Sequence, residues 1–203
     1  MVEKENKVSV LFSGGKDSSL AAFILSKFFE VELITINFNI LENWKIAQKT
    51  AKILKFPFKV VYLNKKIIED AAEMVIKDKR PANGINFIHK MILEETANTS
   101  KMIADGIRRN DRVPNLSLSE IISLEDRYNI HYMQPLLGFS RKTINILLEK
   151  YFTFKEYKSI SSDGAEYEFE LREIIRRKYG EDKIGEIFPK NHTHSIITGF
   201  NLY

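Results

Sequence analysis

The sequence contains no cysteine, and this absence removes several kinds of chemistry. Disulfide frameworks, CxxC zinc sites, iron–sulfur clusters and thiolate nucleophiles all require cysteine side chains. None of them can be built on this chain. Any sulfur chemistry carried out on a substrate would therefore need a thiol from a partner protein.

Long apolar runs are absent as well. No stretch approaches the roughly 20 apolar residues that span a bilayer. The N-terminal segment 1–7 contains acidic residues and is not followed by an apolar stretch of the signal-peptide type. We expect a cytoplasmic protein without a membrane partner.

The charge is nearly balanced, with 31 Lys and Arg against 27 Asp and Glu and a formal net charge of +4. This mildly basic character permits an RNA or polyphosphate partner without requiring one. A length of 203 residues with 44% hydrophobic side chains suits one soluble domain with a short appendage.

Strand and helix patterns alternate along the first 150 residues. The apolar, β-branched run 8–12 stops at two glycines, and helical periodicity begins at Ser18. Strands separated by helices pair in parallel through right-handed crossovers. We therefore expect an α/β fold, an open parallel five-stranded sheet with helices on both faces, over residues 1–150. The further strands are expected at 31–38, 58–63, 101–104 and 131–137, and the helices at 43–54, 67–77, 85–99 and up to Tyr128.

Residues 151–203 are expected to form a short helical appendage. It contains a turn at 159–164 and a charged helix from about 165 to 179. We interpret the acidic side chains Glu166, Glu168 and Glu170 as a solvated face with Arg172 nearby on the surface. A lid over the active site or a role in acceptor specificity is the alternative.

The segment SGGKDS, residues 13–18, lies between the first strand and the first helix. Open α/β sheets place their ligand crevice at such a loop, where a helix N-terminus supplies unpaired amides. Adjacent glycines let backbone N–H groups approach a phosphate, and hydroxyl and ammonium groups add further donors. The segment is typical of a polyphosphate-binding loop, with donors from Ser13, Gly14, Gly15, Lys16, Ser18 and Ser19.

Two familiar phosphate motifs do not fit this loop. Val10 stands where a Walker A loop has its first glycine, and Asp17 follows Lys16 where that motif has Ser or Thr. The GxGxxG dinucleotide fingerprint is not present either.

The intact SGGxDS pattern from Ser13 to Ser18 resembles the signature of the N-type ATP pyrophosphatases, the PP-loop superfamily. The resemblance covers about residues 7–150, and residues 104–120 look most like small stand-alone archaeal proteins of the asparagine synthase-like kind. It implies an adenine nucleotide alpha-hydrolase-like fold, ATP as substrate, Mg²⁺ as cofactor and release of pyrophosphate. By this resemblance the loop grips the β and γ phosphates, Lys16 and Asp17 are catalytic, and Asp17 helps to hold Mg²⁺.

The same resemblance extends to two other loops. The end of the second strand is expected to contact adenine through backbone groups of Ile36, Asn37 and Phe38, with core packing as the alternative for Phe38. Asp105 and Gly106 match the glycine-containing loop that carries an acidic metal ligand in the family. A carboxylate repels a triphosphate unless a divalent ion lies between them, so Asp17 with Asp105 or Asp111 predicts a Mg²⁺ site. Capping of the loop or of a helix is the alternative for both.

Basic residues crowd the predicted nucleotide edge. Arg108, Arg109 and Arg112 can neutralise charge that develops on the α phosphate. We expect Arg108 to be catalytic and Arg109 to bind the nucleotide, and an exposed loop that contacts RNA or solvent is the alternative. Ser140 can cap the helix after the fifth strand, and Lys142 beside it matches a basic residue that meets the polyphosphate in several family members.

The histidines do not predict a metal centre. We interpret His89, alone on a helix, as structural. His192 and His194 are two residues apart without a third partner, which does not make a zinc site.

Three functions are compatible with these residues. The first is an enzyme that adenylates a carboxylate or base carbonyl, after which free ammonia, an amine or a sulfur donor displaces AMP, with the donor supplied by a partner protein where needed. The second is a tRNA-modifying PP-loop enzyme with a partner-supplied donor, and the third a non-catalytic sensor of ATP or AMP. The acceptor and a homodimeric state are left open by the sequence.

Overall fold

Five parallel strands form the central sheet in a computed structural model that describes residues 6–158, 164–188 and 193–201. The sheet contains β1 (Lys7–Leu11), β2 (Glu30–Asn37), β3 (Phe58–Tyr62), β4 (Met102–Ala104) and β5 (His131–Met133). The helices between these strands are α1 (Lys16–Leu25), α2 (Trp44–Leu54), α3 (Lys65–Asp78), α4 (Pro81–Ala97) and α5 (Leu118–Tyr128). The sequence continues with α6 (Arg141–Tyr151), β6 (Phe152–Lys158), α7 (Tyr167–Tyr179), α8 (Glu181–Ile187) and β7 (Thr193–Phe200).

The strand order in the sheet is β3-β2-β1-β4-β5, and every pairing is parallel. The chain moves outward from β1 through β2 to β3, then returns to the other side of β1 for β4 and β5. The order therefore reverses between β1 and β4. In open α/β sheets this reversal opens a crevice at the carboxyl ends of the two strands.

Helices cover both faces of the sheet, as the sequence predicted. One apolar cluster joins α1, α2 and α6 to the strands, and includes Leu20, Ala51 and Leu148. A second cluster joins α3, α4 and α7 on the other side, and includes Ile68 and Ile88. The predicted fold class is confirmed.

Local signals account for several helix ends. Ser117 and Glu120 form a capping box at the start of α5, and Ser140 accepts a hydrogen bond from the Thr143 N–H at the start of α6. Helix α4 starts at Pro81, four residues before the predicted position, because proline is well suited to the first turn of a helix.

The C-terminal part contains more than the expected helices. Strands β6 and β7 form a separate antiparallel sheet, which the sequence analysis did not predict. Phe152 and Ile197 of this sheet belong to the same apolar cluster as Val8 of β1. The predicted turn at 159–164 falls mostly on residues 159–163, and these and His192 lie outside the described residues.

None of the helices in the described part of the chain has the length and apolar character that crossing a membrane requires.

Candidate functional site

The SGGKDS loop lies at the reversal of the strand order. It follows β1 directly and ends where α1 begins, with Gly15 as the N-cap residue. The neighbouring strand β4 ends at Ala104, so Asp105 and Gly106 leave the sheet beside this loop. The structure therefore brings together the two loops that the sequence singled out.

Two glycines allow close contacts around the loop. Gly14 has φ +76°, and a Cβ there would lie 3.1 Å from Ala47 Cα and 3.2 Å from Thr50 Oγ1 of α2. A Cβ on Gly106 would lie only 2.6 Å from the Ser18 backbone nitrogen. The loop after β4 therefore packs directly against the first turn of α1.

We expect Gly106→Ala to lower the free energy of unfolding by about 1–3 kcal/mol, because the new methyl group meets backbone atoms and not a flexible side chain. Gly138→Ala is the matched control, since no atom lies within 4 Å of a Cβ at that position. Denaturant titration followed by circular dichroism measures both. Equal stability of the two variants would contradict the close packing of the two loops.

The loop serines hydrogen-bond within the loop. The hydroxyls of Ser18 and Ser19 donate to the Gly15 carbonyl at 3.2 and 2.7 Å. The Ser13 hydroxyl lies 3.4 Å from both the Ser18 hydroxyl and the Gly15 nitrogen. Ser19 is fully buried. Its predicted role as a hydrogen-bond donor to a phosphate therefore competes with a structural role in closing the first turn of α1.

Asp17 is the carboxylate of the loop, and its pKa is strongly shifted. Burial raises its pKa to about 6, and the nearby charges of Arg108 and Lys16 only partly oppose this shift. Asp17 Oδ1 is buried and has no hydrogen-bond partner among the described residues, while Oδ2 lies 3.5 Å from Arg108 Nη1. A buried carboxylate oxygen without a partner is costly unless a cation completes its environment.

Arg108 links Asp17 to Asp111 in this loop. Its Nη2 lies 2.6 Å from Asp111 Oδ1, its Nε also donates to that carboxylate, and its backbone N–H donates to Asp111 Oδ2 at 2.9 Å. Asp111 thus acts in this structure as the counter-ion and cap of the loop. This matches the alternative interpretation of Asp111, in which it caps the loop. Arg108 thereby lies beside the SGGKDS loop.

Asp105 is engaged differently from the prediction. Its Oδ1 accepts the Ile107 N–H at 3.0 Å, and its Oδ2 accepts the Tyr132 hydroxyl and lies 3.2 Å from His89 Nε2. All three side chains are buried. Protein groups thus occupy both oxygens that were expected to bind a metal, and His89 has the structural role assigned to it. In the described residues no group of three or more His, Asp or Glu side chains is arranged to hold a metal ion.

The end of β2, where adenine contacts are predicted, is buried. Ile36, Asn37 and Phe38 all lie in the interior, and Phe38 is completely inaccessible. The Phe38 N–H donates to the carboxylate of Glu170 at 3.1 Å, and the Asn37 carbonyl accepts the Leu63 N–H. These two backbone groups are therefore paired within the protein, and the adenine contacts of the three residues stay predictions.

Glu170 was expected on a solvated surface, and that expectation is wrong. Its side chain is fully buried, and it accepts N–H groups from Ile40 and Leu41 in addition to Phe38. Burial raises the pKa of Glu170, and the backbone hydrogen bonds only partly offset this. Arg172 is also buried; it pairs with Glu168 and lies over the Phe188 ring.

The C-terminal sheet contributes residues to the loop that the sequence did not indicate. Lys16 Nζ lies 3.0 Å from Glu156 Oε1 and 5.2 Å from the centre of the Phe154 ring, both on β6. The Lys16 N–H donates to the Ser195 hydroxyl at 3.4 Å, and the Ile197 N–H to the Gly14 carbonyl at 3.5 Å, both from β7. No local sequence pattern signals contacts between residues so far apart in the chain.

A pair formed by a buried histidine and a half-buried carboxylate lies beside the same glycines. His194 Nδ1 is 2.7 Å from Glu166 Oε2, and a Cβ on Gly15 would lie 4.0 Å from Glu166 Oε1. Burial alone would lower the pKa of His194, but the hydrogen bond and charge of Glu166 outweigh burial and raise it. The charge of Glu166 also contributes to the raised pKa of Asp17.

Two predicted residues have no described polar contact with the loop. Arg109 and Lys142 are exposed, and their side chains make no hydrogen bond or ion pair within the described ranges. They lie in the segments that follow β4 and β5, which leave the same edge of the sheet. Their predicted contacts with a nucleotide stay predictions.

Comparison with known proteins gives three findings. The model of a family of unknown function (DUF7411) matches residues 6–199. An uncharacterized protein of Methanocaldococcus jannaschii is 49% identical over 191 residues, which cover 94% of each chain. The crystal structure of a predicted subunit of tRNA methyltransferase from the same species has a TM-score of 0.89 and 46% identity, covering 97% of this chain and 98% of that one.

Proposed function

We propose that this chain, which belongs to the DUF7411 family of unknown function, is an ATP pyrophosphatase of the PP-loop kind. It would cleave ATP between the α and β phosphates and transfer the adenylyl group to an acceptor. The observation that carries the proposal is the SGGKDS loop at the strand-order reversal, where Asp17 has a buried oxygen with no hydrogen-bond partner in the described part of the chain.

The loop supplies the groups that polyphosphate binding needs. Gly14 and Gly15 carry no side chain, and the first N–H groups of α1 lie at the helix N-terminus, where the helix dipole favours an anion. Lys16 adds a positive charge. These groups would bind the β and γ phosphates, which leave together as pyrophosphate.

Asp17 fits a Mg²⁺ ion better than the other two predicted ligands do. Its Oδ1 has no hydrogen-bond partner among the described residues, whereas the oxygens of Asp105 and Asp111 accept hydrogen bonds from protein donors. Mg²⁺ binds one or two carboxylates together with phosphate oxygens, and when bound it would neutralise phosphate charge. Asp17 is therefore the proposed metal ligand of this chain.

The residues beside the loop suit attack at the α phosphorus. An acceptor oxygen forms the new bond to phosphorus while the bond to the bridging oxygen of pyrophosphate breaks. Arg108, 3.5 Å from Asp17, can stabilise the negative charge that develops in this step. Ammonia, an amine or a sulfur donor would then displace AMP from the adenylated acceptor.

The test is acceptor-dependent release of pyrophosphate from ATP and Mg²⁺. Pools of small carboxylates and bulk tRNA are supplied separately, each with and without ammonium. Pyrophosphate release that needs one pool supports the proposal and identifies the acceptor class. ATP binding without release in any pool would favour a nucleotide sensor and contradict catalysis.

A tRNA acceptor is the second candidate within this mechanism. It is favoured by the 46% identity to a protein described as a predicted subunit of tRNA methyltransferase. Any thiol that such a reaction needs must come from a partner, since this chain has no cysteine. Pyrophosphate release that requires tRNA, and not the small carboxylates, would distinguish it.

We expect Glu156→Gln to tighten ATP binding by about two- to fivefold, because Glu156 pairs with Lys16 and must give up that contact to a phosphate. Glu149→Gln is the control, since Glu149 is exposed on α6 and has no described partner. Titration calorimetry with Mg²⁺ present measures both variants. Weaker ATP binding by Glu156→Gln would mean that Glu156 positions Lys16 rather than competing with phosphate.

A further inference from the structure

One part of the chain carries positive charge without any negative charge. Residues 43–68 contain seven lysines and no Asp or Glu, although the whole chain has almost as many acidic as basic residues. Two of the seven, Lys65 and Lys66, form ion pairs with Glu69 and Asp70 at the start of α3. The other five belong to α2, its C-terminal cap and strand β3.

Three of these lysines form a stripe on α2. Lys45, Lys49 and Lys52 follow one another at spacings of four and three residues, which places them on the same face of a helix. All three are exposed. Lys45 pairs with Glu42, whereas Lys49 and Lys52 have no ion-pair partner among the described residues. We call these three residues the lysine stripe.

The positive surface extends beyond the lysine stripe. Lys55 is the C-cap residue of α2, and Lys59 lies on β3, the edge strand of the sheet. Both are exposed and have no described ion-pair partner. Holding so many unpaired like charges together raises the local potential, which attracts a polyanion.

We propose that the lysine stripe is a docking surface for the phosphate backbone of RNA. With a rise of 1.5 Å per residue, the stripe extends about 10 Å along α2. A nucleic-acid duplex carries a charge about every 3.4 Å along each strand, so the stripe spans several phosphates. The charge of the surface therefore matches the backbone in sign and in scale.

A membrane surface fits this face less well. Helices that bind membranes insert large apolar side chains beside their basic residues. Most apolar residues of α2 instead pack inward: Ala47, Ala51 and Leu54 are buried, and Ile46 and Ile53 pack against the core. The half-buried Trp44 ring beside Lys45 is the one apolar side chain of α2 outside this set, so the exposed face offers mainly charge.

The stripe is close to the candidate site without belonging to it. Thr50 and Ala47, on the opposite face of α2, contact the region of Gly14. RNA on the lysine stripe would thus lie about one helix diameter, roughly 10 Å, from the SGGKDS loop. The inference concerns binding of RNA and stands apart from ATP cleavage.

The experiment measures binding of labelled bulk tRNA to the full chain by fluorescence anisotropy over a range of KCl concentrations. The stripe variant carries Lys45→Gln, Lys49→Gln and Lys52→Gln. The control variant carries Lys27→Gln, Lys77→Gln and Lys150→Gln, which removes the same charge from exposed lysines elsewhere. Thermal unfolding by circular dichroism establishes that both variants are folded.

We expect the stripe variant to bind tRNA at least tenfold more weakly at low salt, and its log affinity to depend less steeply on log salt, by about 2 to 3. The control variant should keep the wild-type affinity within about twofold. Equal losses in both variants would show that only net charge matters, and no loss in the stripe variant would place RNA elsewhere. Either result overturns the inference, as does a wild-type protein that does not bind tRNA.

Two further measurements separate the alternatives. If the stripe variant loses binding to phosphatidylserine vesicles and retains tRNA binding, the stripe is a lipid surface and the inference is wrong. ATP binding, measured by calorimetry, should be the same in the wild type and the stripe variant. A wild type that binds tRNA through the stripe but does not bind ATP would support this inference and overturn the proposed function alone.

Discussion

Asp17→Asn is expected to lower Mg²⁺-dependent ATP turnover by about 100-fold or more, because it removes the charged oxygen that would hold the metal beside the phosphates. Asp126→Asn is the control, an exposed aspartate on α5 without a described partner. Steady-state pyrophosphate release measures both. Unchanged turnover in Asp17→Asn would show that the metal assignment is wrong.

The same variant is expected to be more stable than the wild type at pH 7.5. The pKa of Asp17 is raised from 3.8 to about 6, so the folded protein holds this proton more tightly than the unfolded chain. That stabilisation is complete below pH 3.8 and is lost as the pH rises through about 6. Above pH 6 the buried charge costs stability, roughly 1–3 kcal/mol, and asparagine does not carry it.

Denaturant titrations at two pH values test this effect of the Asp17 charge on stability. Asp17→Asn should raise the free energy of unfolding at pH 7.5 and change it little near pH 3.8. Equal effects at both pH values would mean that the charge of Asp17 is not the cause. A residue whose replacement improves stability while removing activity is retained for function rather than for the fold.

Glu170→Ala is expected to lower the free energy of unfolding by about 3 kcal/mol, because it leaves the N–H groups of Phe38, Ile40 and Leu41 without an acceptor. Glu149→Ala on α6 is the control for removing a glutamate from a helix. Urea titration measures both. A loss equal to that of the control would mean that water or other groups replace the carboxylate.

The pH dependence of Glu170 has a defined sign. Its folded pKa is raised above the ordinary value of 4.5, mainly by burial. The stability that follows from protonation is therefore fully present below pH 4.5 and is lost as the pH rises through the folded pKa. The stability difference between wild type and Glu170→Ala should shrink over that range.

The sequence predicted the core of the fold and the position of the SGGKDS loop. Parallel strands and helices each have a local period, so alternation of the two patterns was enough to give the five-stranded sheet. The glycine loop needed only its own residues and its place after β1. Ser140 was predicted as a cap for the same reason, because the N–H group that it caps follows within three positions.

The parts that depend on distant contacts could not be predicted in this way. Glu170 reads as one more charge on an amphipathic helix, yet its carboxylate accepts hydrogen bonds from backbone N–H groups about 130 residues earlier. Glu156 and Ser195 reach the loop only because β6 and β7 pair and pack across it. Neither the antiparallel pairing nor its register leaves a local signal in the sequence.

Distant contacts also occupy several groups that were predicted to bind the ligand. The adenine-binding prediction at Phe38 relied on free backbone groups, and a buried carboxylate from α7 already binds one of them. The metal prediction included three aspartates, of which Asp17 alone has a buried oxygen with no hydrogen-bond partner among the described residues. The proposed chemistry therefore rests on the SGGKDS loop and Arg108.

The most direct measurement of the central claim is product analysis with ATP labelled at the α phosphate, in the presence of Mg²⁺ and of each acceptor pool in turn. The account predicts labelled AMP or an AMP-linked acceptor together with pyrophosphate, and loss of both products in Asp17→Asn. Labelled ADP with inorganic phosphate would contradict it, because the bond broken would then be the one between the β and γ phosphates.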